Sequence, residues 1–223
     1  SRGPVVAGFS TRHGGDDLAD LSKEAGFSRD SLFMVTQVHG ARVVEVDGQE
    51  APETVAREEA DALVTKASGV ALGIRTADCV PVLYSSPRGD VVGAAHGGWR
   101  GVVAGVVSAT ADHVARLAQV PTSELRVAIG PAIDPCCFQV GPEVAEAIAS
   151  FVGSDEVIEH QGNGARPHVD LRNAVERVLV SEGIPSERIE IVGACTRCAS
   201  DFFHSYRREG PGKGRQISFV YRA

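Results

Sequence analysis

The sequence contains no apolar run long enough to cross a membrane as a helix. Such a helix needs roughly 20 apolar residues in a row, and no stretch of the 223 residues approaches that length. The opening segment, Ser-Arg-Gly-Pro-Val-Val, also lacks the long apolar core of a signal peptide. We therefore expect a soluble, cytoplasmic protein with no membrane partner.

An excess of positive charge is also missing. The chain has 22 Lys and Arg against 29 Asp and Glu, which gives a formal net charge of -7. It therefore offers no basic field that could release counterions from a nucleic acid. We expect no nucleic-acid partner, although a few arginines can still hold a single phosphate.

A disulfide framework is the third absence. The five cysteines are an odd number in a chain that is large enough to build its core without disulfides. We expect reduced thiols with metal or catalytic roles. Repeats, low-complexity tracts and linker-like changes of composition are missing as well, so we predict one domain over residues 1–223.

The chain does contain short apolar runs mixed with helical patterns. The predicted strands are residues 5–9, 32–35, 42–46, 62–65, 70–76, 80–84, 91–95, 125–129, 189–192 and 216–221. The predicted helices are residues 102–117, 142–151 and 171–182, the last with Asp170 as its N-cap. Residues 207–215 read as a surface loop or a flap beside a site. Because strands and helices do not alternate strictly, we predict an α+β layered sandwich with mixed β-sheets flanked by helices.

Three segments carry metal-capable side chains beside predicted strands. His39 lies in Thr-Gln-Val-His-Gly, Cys79 in Thr-Ala-Asp-Cys and His96 in Ala-Ala-His-Gly-Gly. Two imidazoles and one thiolate suit a zinc ion whose fourth position stays open for water or substrate. Asp78, Asp61 and Gln37 are available to hydrogen-bond these ligands, and the sequence leaves the choice among them open.

The segment after residue 91 also has the pattern of an anion site. A predicted strand is followed by Gly97-Gly98, then Arg100 and a predicted helix. Glycine amides, a helix N-terminus and a guanidinium can together bind phosphate. The other interpretation is a tight strand-to-helix turn with no ligand.

Further cysteines and arginines allow two interpretations each. Cys195-Thr196-Arg197-Cys198 has the spacing of a redox motif or half of a zinc knuckle. Adjacent Cys136 and Cys137 look poorly suited to share one tetrahedral ion, so we expect buried or site-adjacent thiols. Arg12, Arg207 and Arg208 either bind an anionic substrate or are solvated surface charges.

A series of motifs extends over almost the whole chain. They are Ser-Thr-Arg-His-Gly-Gly (10–15), Gln-Val-His-Gly (37–40), Ala-Asp-Ala-Leu-Val-Thr (60–65), Ala-Asp-Cys-Val-Pro-Val (77–82), Ala-His-Gly-Gly-Trp-Arg-Gly (95–101), Gly-Pro-Ala-Ile (130–133), Cys-Cys-Phe-Gln-Val-Gly (136–141), Asp-Leu (170–171), Cys-Thr (195–196) and Phe-His-Ser-Tyr-Arg-Arg (203–208). In this order they resemble the YfiH family, also called laccase-domain or multicopper polyphenol oxidase proteins. After Gly14-Gly15 the family usually carries a longer loop, whereas Asp16-Asp17 follows here at once. That loop is either deleted or left out of the numbering.

The resemblance implies an α+β fold and one zinc ion held by His39, Cys79 and His96. It also implies phosphorolysis of adenosine, guanosine or inosine, cleavage of methylthioadenosine, and deamination of adenosine. The expected partners are thus a purine nucleoside and phosphate. We expect Asp78 to move protons, and the predicted substrate-binding residues are Arg12, Gln37, Arg100 and Arg207.

Three alternatives remain open beside this interpretation. The first is a copper-binding polyphenol oxidase, but a multicopper centre needs about ten histidines, and this chain has 7 and no His-x-His pair. The second is a metal-free hydrolase with Cys79 as nucleophile and His96 or His39 as base, for example in peptidoglycan editing. The third is a zinc-stabilised scaffold protein in which Cys136 or Cys137 supplies a fourth ligand.

Overall fold

The structure is a computed structural model that describes residues 4–13, 18–159 and 165–223. Its strands are β1 (Val5–Phe9), β2 (Leu32–Phe33), β3 (Val43–Glu45), β4 (Ala62–Thr65), β5 (Ala71–Thr76), β6 (Val80–Ser85), β7 (Val92–Gly97), β8 (Arg126–Ile129), β9 (Ile158–Glu159), β10 (His168–Val169), β11 (Ile189–Ile191) and β12 (Gln216–Arg222). Its α-helices are α1 (Leu18–Ala25), α2 (Pro52–Val55), α3 (Trp99–Val103), α4 (Val106–Ala118), α5 (Pro142–Val152), α6 (Leu171–Ser181) and α7 (Tyr206–Glu209). The Gly15–Asp16 junction lies outside the described residues.

Most strands belong to two mixed sheets. One sheet has four strands in the order β1-β12-β5-β2, and the other has six in the order β11-β8-β6-β7-β4-β3. Strands β9 and β10 form a separate antiparallel pair. Parallel pairs occur at β2/β5, β3/β4 and β8/β11, and the remaining pairs in the two sheets are antiparallel. The prediction of mixed sheets is therefore confirmed.

Side chains of alternate residues place the core on both faces of the six-stranded sheet. Along β4, Ala62 and Val64 pack with residues of α4 and α6, whereas Leu63 packs with Leu72 of the four-stranded sheet. The outer face of that second sheet carries Phe219 and is covered by α1. The layers are thus a helix, two sheets and a group of helices, as expected for strands that read as continuous apolar runs.

Two predictions about helices were wrong in detail. The single helix predicted over residues 102–117 is divided into α3 and α4, because Gly105 adopts a left-handed conformation with φ of 93°. The predicted loop at residues 207–215 begins instead as the short helix α7, where the Ser205 side chain accepts a hydrogen bond from the Arg208 amide. The N-cap role of Asp170 is confirmed by its hydrogen bond from the Asn173 amide.

None of the helices in the described ranges has the length and apolar character needed to cross a membrane.

Candidate metal centre and cleft

Strand pairing in the six-stranded sheet brings the three predicted ligands together. Strand β6 begins directly after Cys79, and its pairing with β7 sets Pro81 opposite His96. Strand β4 begins after Asp61, and its pairing with β7 sets Ala62 opposite Ala95. Because β3 runs parallel to β4 with Val43 beside Ala62, the segment before β3 reaches the same end of the sheet as Asp61 and Cys79. That segment carries His39.

The donor atoms of His39, Cys79 and His96 form one compact group. They all lie within 4.8 Å of one another. The Cys79 Sγ atom is 3.9 Å from His39 Nε2, and the two imidazole rings meet edge to face with centroids 4.8 Å apart. His96 is buried, Cys79 is half-buried and His39 is exposed, so the group opens to solvent on the His39 side.

Asp61 is the carboxylate that organises this group. Its Oδ1 atom accepts a hydrogen bond from His96 Nδ1 at 2.7 Å, which leaves His96 Nε2 directed away toward the other two donors. The carboxylate also accepts the backbone amides of Val38, His39 and Gly40 at 3.1, 2.9 and 2.6 Å. Burial favours the neutral acid, but these hydrogen bonds hold the pKa of Asp61 below its ordinary value.

The surroundings of Cys79 favour its thiolate, the form in which a cysteine binds a metal ion. Burial opposes ionisation of Cys79, but hydrogen bonds from His39 and His96 lower the pKa of its thiol to about 6. Burial likewise opposes the charged form of His96, and the hydrogen bond to Asp61 raises its pKa to about 9. A thiolate and two imidazoles fit zinc, and they also fit copper.

The three donors lie at the wall of a cleft of about 1440 Å³. Arg75, Arg100 and Arg207 line this cleft together with the aromatic rings of Trp99 and Phe138. The Arg100 guanidinium is 4.5 Å from the centre of the Trp99 ring, and that of Arg207 is 5.6 Å from the centre of the Phe138 ring. The cleft thus combines flat apolar surfaces with positive charge beside the donor group.

Comparison with known proteins identifies the family. The family model described as multi-copper polyphenol oxidoreductase laccase matches residues 7–223. Adenosine deaminase RL5 of an unknown prokaryotic organism is 36% identical over 218 residues, which cover 93% of this chain and 81% of that protein. Purine nucleoside phosphorylase YlmD of Geobacillus stearothermophilus is 31% identical and covers 100% of this chain and 86% of its own length. The crystal structure of the hypothetical protein YfiH from Bacillus licheniformis is 26% identical, with a TM-score of 0.90 and coverage of 98% and 93%.

The chain belongs to this laccase family. The predicted family resemblance and the α+β fold are therefore confirmed. The family's description names several copper ions, yet among the described residues that line the cleft the only histidines are His39 and His96. The members named for nucleoside chemistry are accordingly the more useful guides to this chain.

Asp78 has a different place in this laccase-family chain than expected. Its Oδ1 accepts the Thr196 hydroxyl at 2.6 Å, and its Oδ2 accepts the Arg207 backbone amide at 2.7 Å. Its φ of 91° and the φ of 60° at His39 show a strained backbone on both sides of the donor group. Both carboxylate oxygens are therefore engaged by protein groups, and proton transfer by Asp78 stays a prediction.

The glycines before α3 make room for a ligand side chain. A Cβ atom at Gly98 would lie 2.5 Å from His39 Cδ2 and 3.4 Å from Cys79 Sγ. Helix α3 has only five residues. Close packing against the His39 ring accounts for Gly98, and an anion site at this turn, with Arg100 in the cleft lining, stays a prediction.

The other predicted substrate residues have mixed outcomes. Gln37 lines the cleft, but its side-chain amide forms two hydrogen bonds with the backbone of Arg75, at 2.8 and 2.9 Å. Arg12 is not among the residues that line the cleft, since its guanidinium binds the Ser200 carbonyl at 2.5 Å and lies 3.5 Å from Glu209. Arg208 likewise binds backbone carbonyls, including that of Thr196 at 2.8 Å. The guanidinium groups of Arg12 and Arg208 thus contact protein groups, and their binding of a substrate stays a prediction.

Sequence reasoning missed Arg75, Trp99 and Phe138. Arg75 is the single exposed residue of β5, whose other residues are buried. Its guanidinium has no hydrogen-bond or ion-pair partner among the described residues. The signal was present in the sequence, because an arginine stands in an apolar strand only four residues before Cys79. Such a charge needs water or a ligand beside it.

The remaining cysteines form a separate group. Cys136, Cys137, Cys195 and Cys198 form a group separate from His39, Cys79 and His96, which does not favour the alternative in which Cys136 or Cys137 supplies a fourth ligand to the His39 group. We expected these two adjacent thiols to be poorly suited to share one tetrahedral ion, but the structure places their sulfur atoms close together. The turn that contains them brings their sulfur atoms within 3.6 Å of each other.

Proposed function

We propose that this protein is a zinc-dependent purine nucleoside phosphorylase that also deaminates adenosine. The observation that carries the proposal is an open group of three donors on the wall of a cleft lined by arginines and aromatic rings. The names of two relatives, one a purine nucleoside phosphorylase and one an adenosine deaminase, support the same class of substrate.

The residues that would hold the zinc ion are His39, Cys79 and His96. Two imidazoles and a thiolate leave one position open, as in catalytic rather than structural zinc sites. Zinc bound there supplies a Lewis acid for a substrate oxygen or a water. Asp61 keeps the Nδ1 proton of His96 in place, so that Nε2 is the free donor. Copper is the alternative ion for the same donors.

Phosphorolysis requires phosphate and the ribose of the nucleoside to lie side by side. A phosphate oxygen forms a bond to C1′, the bond between C1′ and the purine nitrogen breaks, and the purine leaves with a proton. Arg75 is suited to hold the phosphate because its guanidinium is exposed in the cleft and has no partner within residues 4–13, 18–159 and 165–223. Trp99 and Phe138 offer faces for the purine ring.

Deamination uses the same purine position and a water in place of phosphate. The water oxygen bonds to C6 of the purine ring, and the amino group leaves as ammonia after it has gained a proton. Arg100 and Arg207 provide positive charge near the reacting groups without donating their own protons, because a guanidinium stays charged at neutral pH. Asp78 fixes the backbone of Arg207 through its hydrogen bond at 2.7 Å.

The direct test is turnover of inosine in the presence of phosphate. We expect hypoxanthine and ribose 1-phosphate from inosine, and inosine and ammonia from adenosine. His39→Ala and Cys79→Ala should each abolish both reactions. His113→Ala is the matched control, since His113 pairs with Glu45 at 3.1 Å and does not line the cleft. Full turnover in a folded Cys79→Ala protein would refute the proposal.

A second candidate function is a thiol hydrolase in which Cys79 itself attacks the substrate. The observation that favours it is the low pKa of Cys79, about 6, beside the His39 ring. Metal analysis separates the candidates, because a zinc ion retained after dialysis would occupy the thiolate. A parallel assay with muropeptides would detect an activity in peptidoglycan editing, and turnover of muropeptides by metal-free protein would favour the hydrolase.

A further inference from the structure

Four cysteines lie together outside the cleft, at one end of the strands of the six-stranded sheet. Cys136 and Cys137 follow strand β8, and Cys195 and Cys198 follow strand β11. These two strands are parallel neighbours, so both of them finish at the same end of the sheet. The two turns that follow the strands meet there. The backbone amide of Thr196 donates to the Ala132 carbonyl at 2.9 Å and joins the turns directly.

The sulfur positions match a tetrahedral metal site. Four sulfurs bound to zinc at about 2.3 Å are about 3.8 Å apart. Cys136 Sγ lies 3.6 Å from that of Cys137 and 3.7 Å from that of Cys198, and the sulfurs of Cys137 and Cys198 are 3.3 Å apart. All four sulfurs lie within 4.8 Å of one another, and none is in a disulfide. We propose that these cysteines bind a second zinc ion in a closed tetrathiolate site.

Core packing does not account for this cluster. Cys136 and Cys198 are exposed, whereas a thiol that serves only as a small apolar side chain is usually buried. Hydrogen-bond donors also point at the sulfurs. The Asp134 amide is 3.4 Å from Cys195 Sγ, and the Arg197 guanidinium is 3.4 Å from Cys137 Sγ. Four thiolates and one zinc ion carry a net charge of about -2, which these donors partly offset.

The tetrathiolate site has a different task from the site in the cleft. Its four protein ligands leave no open position, which is the pattern of a structural zinc ion. It holds the turn that contains Thr196, whose hydroxyl donates to Asp78 at 2.6 Å. Because Asp78 directly precedes Cys79, the second ion fixes a turn that holds the chain beside Cys79.

The test is the zinc content of protein purified under reducing conditions without chelator. Elemental analysis and native mass spectrometry should find about one zinc ion per chain in Cys79→Ala, because only the tetrathiolate site remains. The double variant Cys79→Ala/Cys198→Ser should hold none. Cobalt-loaded Cys79→Ala should show the intense charge-transfer absorption of a thiolate-bound ion, and the double variant should lose it. These readouts require no turnover, so they are independent of the nucleoside proposal.

Two results would overturn the second site. One is a folded Cys79→Ala protein without zinc after growth in zinc-supplemented medium. The other is a disulfide between Cys137 and Cys198 in protein protected from air, seen as a mass about 2 Da lower before reduction. Cys198 is exposed, so its replacement by serine leaves the core unchanged. Circular dichroism checks that the double variant is folded.

Discussion

At the scale of single residues, Asp61 decides how the donor group is oriented. Its fully buried carboxylate accepts hydrogen bonds from the imidazole of His96 and from three backbone amides in the segment around His39. One side chain therefore positions two of the three donors. A carboxylate in this relation to a metal-binding histidine fixes its tautomer and increases its basicity.

Replacement of Asp61 by asparagine tests this role. The NH2 group of asparagine is a hydrogen-bond donor. It would face another donor, either a backbone amide or the Nδ1 proton of His96, so at least one of these hydrogen bonds is lost. We expect a zinc affinity about 10- to 100-fold lower, measured by competition with a chromogenic chelator. Glu45→Gln is a matched control, because Glu45 also pairs with a histidine but lies outside the cleft lining. An unchanged affinity for Asp61→Asn would contradict the assignment.

Arg75 is the residue whose removal should separate the two reactions. A charge-assisted hydrogen bond contributes about 1.5–3 kcal/mol, so Arg75→Ala should raise the KM for phosphate by about tenfold or more. Deamination of adenosine needs no phosphate and should keep its rate. Arg42→Ala serves as the control, since Arg42 pairs with Glu58 at 2.6 Å and does not line the cleft. Equal losses in both reactions would argue against a phosphate role.

The grouping of His39, Cys79 and His96 was predictable from the sequence, but the residues that support the group were not. Cys79 directly precedes β6, His96 lies near the end of β7, and His39 lies in the segment between β2 and β3, so the sequence pattern around predicted strands already indicated that they converge. The choice of Asp61 over Asp78 depends on strand register, because β4 and β7 place Asp61 beside His96. Asp78 lies next to Cys79 in sequence, yet its backbone turns its carboxylate toward Thr196.

At the scale of elements, the division between α3 and α4 shows how one glycine directs a helix. The apolar spacing of residues 102–117 is continuous, so it predicts one helix. Gly105 instead adopts φ of 93°, and the chain changes direction there. Helix α3 can then lie across the cleft wall with Trp99 and Arg100, while α4 packs on the sheet. Tertiary packing overrides the local pattern at this point.

Substitution of Gly105 should therefore affect stability more than chemistry. Apart from its chain neighbours, no atom of the described residues lies within 4 Å of a Cβ placed at Gly105, so the cost is only that of the left-handed backbone. We expect Gly105→Ala to lower the free energy of unfolding by about 1 kcal/mol, measured by urea denaturation. Gly105→Asn should lose less, because asparagine tolerates this conformation better. If Gly105→Asn and Gly105→Ala lower the free energy of unfolding equally, backbone strain is not the cause of the loss.

At the scale of the whole molecule, the layers were predictable and the meeting of distant turns was not. The apolar continuity of the strands indicated sheets covered on both faces, as the structure has them. Neither the adjacency of β8 and β11 nor the resulting cysteine cluster follows from local pattern. Both depend on the order of strands in the sheet. A local sequence pattern does not give this order, because strands that are distant in sequence can become neighbours through a crossover connection.

The arrangement of the molecule also predicts how the two reactions compete. One cleft carries the donor group, the exposed arginines and the aromatic faces, so under the proposed function adenosine and inosine would occupy the same place. Adenosine should therefore inhibit phosphorolysis of inosine competitively, with an inhibition constant equal to its own KM as a substrate. The measurement follows hypoxanthine release at several fixed adenosine concentrations. Rates that simply add in mixtures of saturating substrates would require two separate sites, because substrates that share one site cannot both be turned over at full rate.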